Sequence, residues 1–281
     1  MQILKTKGWN EYELLDSGNG QRLERFGKYI LSKPDPQAIW DRKLSHDQWG
    51  KADAVYEEKG WRKTSAFPEK WELKYKDISF FARLTSFKHA GVFPEQHLHW
   101  DFIHESVSGR KDANILNLFG YTGVATLIAA SAGALVTHVD ASRPAVAWAR
   151  ENQDISKLNE KPVRWIIDDA LEYVEREVRR GKKYDGILMD PPVYGHGPTG
   201  KIWNFDKSFP DLIRECSKLL SSDPLFVIAN AYAISSSAYM LENVIRDHFA
   251  GGSFETGELV LEESKNGRPL STGIYSRWTP R

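Results

Sequence analysis

Gly120 and Gly123 end the apolar run Ile115–Phe119 in "ILNLFGYTG". Glycine allows a sharp turn and lets a ligand approach the backbone with no Cβ in the way, and Thr122 is placed to cap a helix that follows. About twenty residues on, the next apolar run, "VTHVD", ends on Asp140, followed by Ala141 and Ser142. An acid at that distance accepts hydrogen bonds from ribose hydroxyls. A third run, "IIDDA", ends on Asp168, Asp169 and Ala170. A carboxylate followed by backbone amides at a helix start suits the exocyclic amine and ring nitrogen of adenine.

These three run ends together imply an adenosine-containing cofactor. A pyrophosphate needs the fuller G-x-G-x-x-G cradle at a helix N-terminus, and this chain offers only G-Y-T-G. S-adenosylmethionine carries no phosphate, so one tight turn near its amino-acid end suffices.

A fourth run ends on Asp190 in "LMDPPVYGHGPTGKIW". Pro191 and Pro192 have no N–H and fix the backbone, so their carbonyls are expected to face a crevice beside the carboxylate. Such acceptors hold an amino group whose lone pair is to attack a methyl. Tyr194 is placed to stack on an unpaired base. Attack by carbon 5 of a pyrimidine requires prior addition of a cysteine thiolate. The only thiol, Cys216, lies at helical spacing from Leu212, Ile213, Leu219 and Leu220, a core position. The stretch after the fifth apolar run, "FVIANAYAISSS", has Asn230 and no cysteine, so a nitrogen acceptor is favoured.

Strands and helices must hold these residues in place. From about residue 113 apolar runs (115–119, 134–140, 163–168, 184–190, 224–232) alternate with helix patterns (122–132, 143–157, 170–180, 206–220, 236–249), which indicates a parallel sheet covered on both faces. "GELVLEES", "KNGRPL" and "STGIYSRW" then read as a closing antiparallel hairpin. Residues 1–86 carry aromatics, short alternating pieces and turn signals such as "DSGNG" and "SKPDPQ", a small β-rich domain. Within it "WELKYKDISFFARL" reads as a hairpin broken at Lys76-Asp77. The fold class is α/β, with domains at 1–86 and 87–281.

With 281 residues, 41% hydrophobic, the chain can bury a sizeable core. Its 38 basic and 38 acidic side chains cancel, so nucleic-acid binding has to rest on a local patch. Arg22, Arg25, Lys28, Lys59, Arg62, Lys63, Lys70, Lys74 and Lys76, interleaved with Trp and Tyr, are candidates, diluted by Glu57, Glu58, Glu69 and Glu72. His89, His97, His99 and His104 fall close together, but without thiolates or a recognised ligand spacing no metal site is expected. One cysteine, no signal peptide and no membrane-length apolar run are read as a cytoplasmic protein.

In order, "NLFGYTG", "HVDAS", "IIDDA" and "LMDPP" make residues 113–281 resemble a class I S-adenosylmethionine-dependent methyltransferase. "KHAGVFPEQ" upstream narrows the resemblance to bacterial large-subunit ribosomal RNA methyltransferases, which carry a small β-rich domain before the catalytic one. The resemblance implies a Rossmann-like seven-stranded sheet with a terminal antiparallel hairpin. It also implies that Phe93 packs on the cofactor, that Gln96 hydrogen-bonds near it, and that Asn117 and Phe119 belong to the cofactor set. The family often has Arg after that glutamine; here His97 stands instead. The expected acceptor is a base nitrogen of RNA, ribosomal RNA at family level. Another acceptor (DNA adenine, a protein or a small molecule), a nicotinamide-dependent oxidoreductase and a non-catalytic RNA-binding module stay open.

Overall fold

The computed structural model describes residues 1–232 and 236–281. It divides into two compact units, one formed by residues 4–98 with 259–272 and the other by 1–3, 99–258 and 273–281.

The chain opens with β1 (Gln2–Lys5), then β2 (Tyr12–Gly18), β3 (Gln21–Phe26), β4 (Tyr29–Pro34), α1 (His46–Trp49), β5 (Ala54–Glu57) and β6 (Gly60–Lys63). In the first unit β2 to β6 form a five-stranded sheet in sequence order. Asn19 and Gly20 between β2 and β3 both have positive φ, 52° and 71°, as a two-residue Asn-Gly hairpin turn requires. The expected hairpin follows as β7 (Trp71–Tyr75) and β8 (Ile78–Ala82), turning at Lys76. Trp71, Leu73 and Tyr75 are buried while Glu72 and Lys74 between them are exposed. That alternation is the two-residue period of a strand with one apolar face.

Charge lies inside this unit. Glu24 accepts from the Tyr12 hydroxyl at 2.8 Å and pairs with Lys33 at 2.8 Å and Arg22 at 3.2 Å, and Arg22 reaches Asp35 at 3.4 Å. Burial opposes ionisation of Glu24, yet the Arg22 and Lys33 charges prevail and hold its carboxyl below the usual range. Arg22 is 3% exposed, which corrects its place among candidate phosphate contacts: its guanidinium is spent on Glu24 and Asp35. Arg25 is partly spent as well, on Glu13 and the Gly27 carbonyl.

The second unit is built from α2 (His97–Val107), which begins in the first, and then β9 (Asn114–Leu118), α3 (Val124–Ser131), β10 (Leu135–Asp140), α4 (Arg143–Ile155), β11 (Val163–Ile167), α5 (Ala170–Arg179) and β12 (Gly186–Met189). A short ribbon of β13 (Tyr194–His196) and β14 (Ile202–Asn204) precedes α6 (Phe205–Ser217), β15 (Phe226–Ala231), α7 (Ala238–Arg246), β16 (Ser253–Glu262) and β17 (Pro269–Thr279). The main sheet runs β1-β16-β17-β15-β12-β9-β10-β11. β15, β12, β9, β10 and β11 are parallel, and β17 is antiparallel to β15. The seven strands of the Rossmann-like expectation are thus joined at one edge by β1.

Strand order reverses at β9, which lies between β10 and β12; that is where an open α/β sheet binds its ligands. Cys216 is fully buried among Leu212, Ile213 and Leu219, as its spacing predicts, and burial pushes its thiol well up.

Candidate functional site

Register sets the floor of the site. Leu118 is level with Val139 and with Met189, and Asp140 is level with Ile167. Phe119, Asp140 and Asp190 therefore leave their strands at one height, with Asp168 one residue beyond.

The loop after β9 is held in an unusual backbone. Phe119 and Tyr121 have φ of +55° and +51°, and Gly123 has +82°. Left-handed non-glycine residues are costly and persist where surrounding contacts enforce them. Here Gly120 donates to the Val139 carbonyl at 3.1 Å and Tyr121 to Oδ2 of Asp140 at 2.8 Å, while Gly123 donates to the Gly120 carbonyl at 3.0 Å.

The glycines prove necessary for the protein's own packing. An added Cβ on Gly120 would meet the His138 ring, and one on Gly123 would lie 2.8 Å from Cβ of Ala149. His138 is buried, its basicity pushed down to about 3 by desolvation. Its Nδ1 lies 2.9 Å from Oγ1 of Thr126, which accepts from Asn117 at 2.8 Å. Asn117 is therefore placed beneath the loop. Thr122 is not the cap of α3: Gly123 occupies that position and no side chain caps the helix. Thr122 is instead buried, its carbonyl accepting from Asn152 at 2.9 Å.

Asp140 accepts one N–H on each oxygen, from Tyr121 and from Ser142, both at 2.8 Å. Burial raises its carboxyl above the ordinary aspartate value against the pull of those two N–H groups. A carboxylate has about four lone-pair sites, so two remain for ribose hydroxyls, and the donor set suits an adenosine. Ala141 lies between Asp140 and Ser142, the cap of α4. Asp169 caps α5, accepting from the Glu172 N–H at 3.0 Å, and Ala170 opens that helix. Asp168 accepts from the Asp169 N–H at 3.0 Å and pairs with Arg176.

On the acceptor side Asp190 is half-buried, Pro191 buried and Pro192 exposed. The Pro192 carbonyl accepts from the Trp203 indole at 2.7 Å. That corrects the expectation that both proline carbonyls await a ligand. Tyr194 is 54% exposed, with its ring 5.3 Å from that of His196 in an edge contact. Trp203 was absent from the sequence-derived set. Its signal was the alternation Ile202-Trp203-Asn204 after the Gly-Pro-Thr-Gly turn.

Phe93 and Gln96 belong to the first unit, at a single helical turn, Pro94–Gln96. Phe93 packs near the His89 ring, 4.9 Å between centroids. His97 is buried, its two ring nitrogens each 3.0 Å from a backbone carbonyl oxygen, of Pro94 and of Lys7. Among the described residues no cluster of His, Cys, Asp and Glu is fit to hold a metal ion. Among the described residues no helix is long and apolar enough to cross a membrane. Of the stretch 226–237 read for a catalytic cysteine, residues 233–235 lie outside the described residues.

This sheet order and this ordered set of strand-end acids suit a nucleoside-containing cofactor at the switch point of a Rossmann-like fold. The chain belongs to the S-adenosylmethionine-dependent methyltransferase family, whose sequence profile matches residues 20–258. It is 41% identical to the S-adenosylmethionine-dependent methyltransferase of Agrobacterium tumefaciens, with a TM-score of 0.97 over 100% of this chain and 94% of that one. A Streptococcus mutans methyltransferase shares the fold at 17% identity, with a TM-score of 0.74 over 97% of this chain and 76% of that one. Ribosomal RNA large subunit methyltransferase K/L of Syntrophotalea carbinolica is 30% identical over 58% of this chain and 22% of that protein. Ribosomal RNA large subunit methyltransferase K of Neisseria meningitidis is 25% identical over 61% of this chain and 47% of that protein. The chain thus spans from about a fifth to about a half of these two relatives' length.

Proposed function

We propose that this protein methylates a base nitrogen of RNA, with ribosomal RNA as the substrate class. The observation that carries the reading is the common height of Phe119, Asp140 and Asp190 at the switch point, with exposed Tyr194 following Asp190. Phe119, Gly120, Thr122 and Gly123, backed by Asn117, hold the methionine end; Asp140, Ala141 and Ser142 hold the ribose; Asp168, Asp169 and Ala170 hold the adenine. The family resemblance also implies cofactor roles for Phe93 and Gln96.

When bound, S-adenosylmethionine supplies a methyl already activated by its sulfonium. The chain's part is alignment and a hydrogen-bond acceptor, since orientation provides much of the rate of such a displacement. Asp190 accepts from the acceptor amino group and keeps the nitrogen lone pair in line. Pro191 and Pro192 stiffen that approach, and Tyr194 stacks on the base, worth about 1 to 3 kcal/mol. The buried Cys216 leaves no thiolate for carbon chemistry.

Residues 1–86 help hold the substrate, with Arg62, Lys63, Lys70 and Lys74 among their exposed cations, and methyl transfer is carried out within 87–281. The reaction takes place in the cytoplasm. The names of the ribosomal RNA methyltransferases matching more than half of this chain support the acceptor.

The experiment is transfer of labelled methyl from S-adenosylmethionine to total RNA from cells lacking the protein, with Asp190→Ala as control, followed by nucleoside analysis. A labelled N-methylated base absent with the variant supports the reading. Cofactor binding without RNA labelling moves the acceptor to DNA, protein or metabolites.

A further inference from the structure

The segment after the paired prolines does more than lead into α6. β13 and β14 pair antiparallel, Tyr194 opposite Asn204, Gly195 opposite Trp203 and His196 opposite Ile202. Side chains alternate between the two faces of a strand. One face carries Gly195 and the buried Trp203; the other presents Tyr194, His196 and Ile202, the last 57% exposed.

An isolated two-stranded ribbon is marginal in water, and this one is fastened from below. Trp203 binds the Pro192 carbonyl at 2.7 Å and packs edge-on against Phe119, 4.8 Å between centroids. Lys201 pairs with Glu172 at 3.4 Å. The outer face is therefore held in place before any ligand arrives, which lowers the cost of binding.

Between Asp190 and Asp206 the ribbon's own sequence carries no acid, in a chain whose 38 acidic and 38 basic residues balance. A face that offers rings and an aliphatic side chain, with Lys201 and Lys207 in and just after its sequence, fits an anionic ligand with flat apolar faces. A folded protein partner ordinarily buries about 800 Å² on each side, more than two three-residue strands present.

We infer that the outer face of this ribbon binds an unpaired RNA nucleotide adjacent to the acceptor nucleotide, its base lying on His196 and Ile202. The inference rests on the RNA reading above. Stacking tolerates any base because every base has a π-face, so the ribbon selects single-stranded context over sequence.

The test is fluorescence anisotropy of a fluorescein-labelled, random-sequence oligoribonucleotide of about twelve nucleotides, with the native chain and with the double variant His196→Ala/Ile202→Ser. The variant is expected to bind about tenfold more weakly, with calorimetric affinity for S-adenosylmethionine and the melting temperature unchanged. His196→Trp, with a larger ring, is expected to bind more tightly. Equal affinity in native chain and double variant, or no binding by the native chain, overturns the inference even where RNA is methylated. Loss of oligonucleotide binding in the double variant, alongside a native chain that methylates no RNA, upholds the surface and removes RNA as acceptor. Self-association that is lost in the double variant while oligonucleotide binding stays assigns the face to a second copy and likewise overturns it.

Discussion

An added Cβ on Gly120 would lie 2.4 Å from Cε1 of His138, closer than two unbonded carbons pack. The cofactor loop is thus seated on a buried ring of the neighbouring strand. Gly120→Ala forces loop or ring to move, at a cost of about 1 to 3 kcal/mol, and is expected to weaken cofactor binding. His138→Ala removes the obstruction, so the double variant should be more stable than the two single effects added. A double-mutant cycle of melting measurements reads this coupling; strict additivity would show the ring and loop to be independent.

Asp140 predicts a pH dependence with a definite sign. Its folded pKa is raised, so burial opposes the ionised form and protonation favours the folded chain. Ribose hydroxyls, in contrast, donate to the carboxylate. Cofactor affinity is therefore full above the raised pKa and declines as pH falls through it. Asp140→Asn should weaken binding about ten- to hundredfold at neutral pH and abolish the pH dependence. Calorimetry from about pH 7.5 down to pH 4.5 checks both, and a native profile as flat as the variant's would refute the assignment.

Trp203 ties the acceptor loop to the cofactor loop through one indole. Trp203→Phe keeps a ring against Phe119 and loses the hydrogen bond to Pro192, costing about 1 kcal/mol. Methyl transfer should fall in kcat while cofactor affinity holds. Unchanged kcat would mean that the Pro192 carbonyl needs no such restraint.

Glu24 bears on the stability of the first unit. Its folded pKa lies below the unfolded value, so its contribution is present above the unfolded pKa and is lost as pH falls through the folded one. Glu24→Ala leaves Arg22 and Lys33 buried without that partner and should cost about 3 to 5 kcal/mol. Thermal melts across that acid range should show a shallower pH slope for the variant than for the native chain.

Much of the second unit was legible because its signals are local. Each apolar run read as a strand overlaps one of β9, β10, β11, β12 and β15, and each helix pattern overlaps one of α3 to α7. The closing hairpin followed from a turn at Gly267, which has φ of +65°. β13 and β14 were not read as strands: with three residues each around a Gly-Pro-Thr-Gly turn, the alternation Ile202-Trp203-Asn204 was their one signal and a weak one. Thr122 looked like a cap because Thr is a common capping residue, but the left-handed turn places the cap one residue later. Arg22 looked solvated because, although Glu24 lies two residues along the same strand, the burial of both and the approach of Asp35 are set only when β3 packs and pairs with β4.

By itself the sequence determined the order of strands and helices, the family, and which acids stand at strand ends. Those properties follow from where apolar side chains recur and where glycine and proline interrupt them, which the local chain carries. Only the tertiary structure decided which polar groups are left for a ligand. His138 lies under Gly120, Trp203 takes the Pro192 carbonyl and Arg22 is consumed by Glu24 and Asp35. A hydrogen-bond or charge partner is chosen by proximity after the chain has folded, and proximity between distant segments is not written in either one alone.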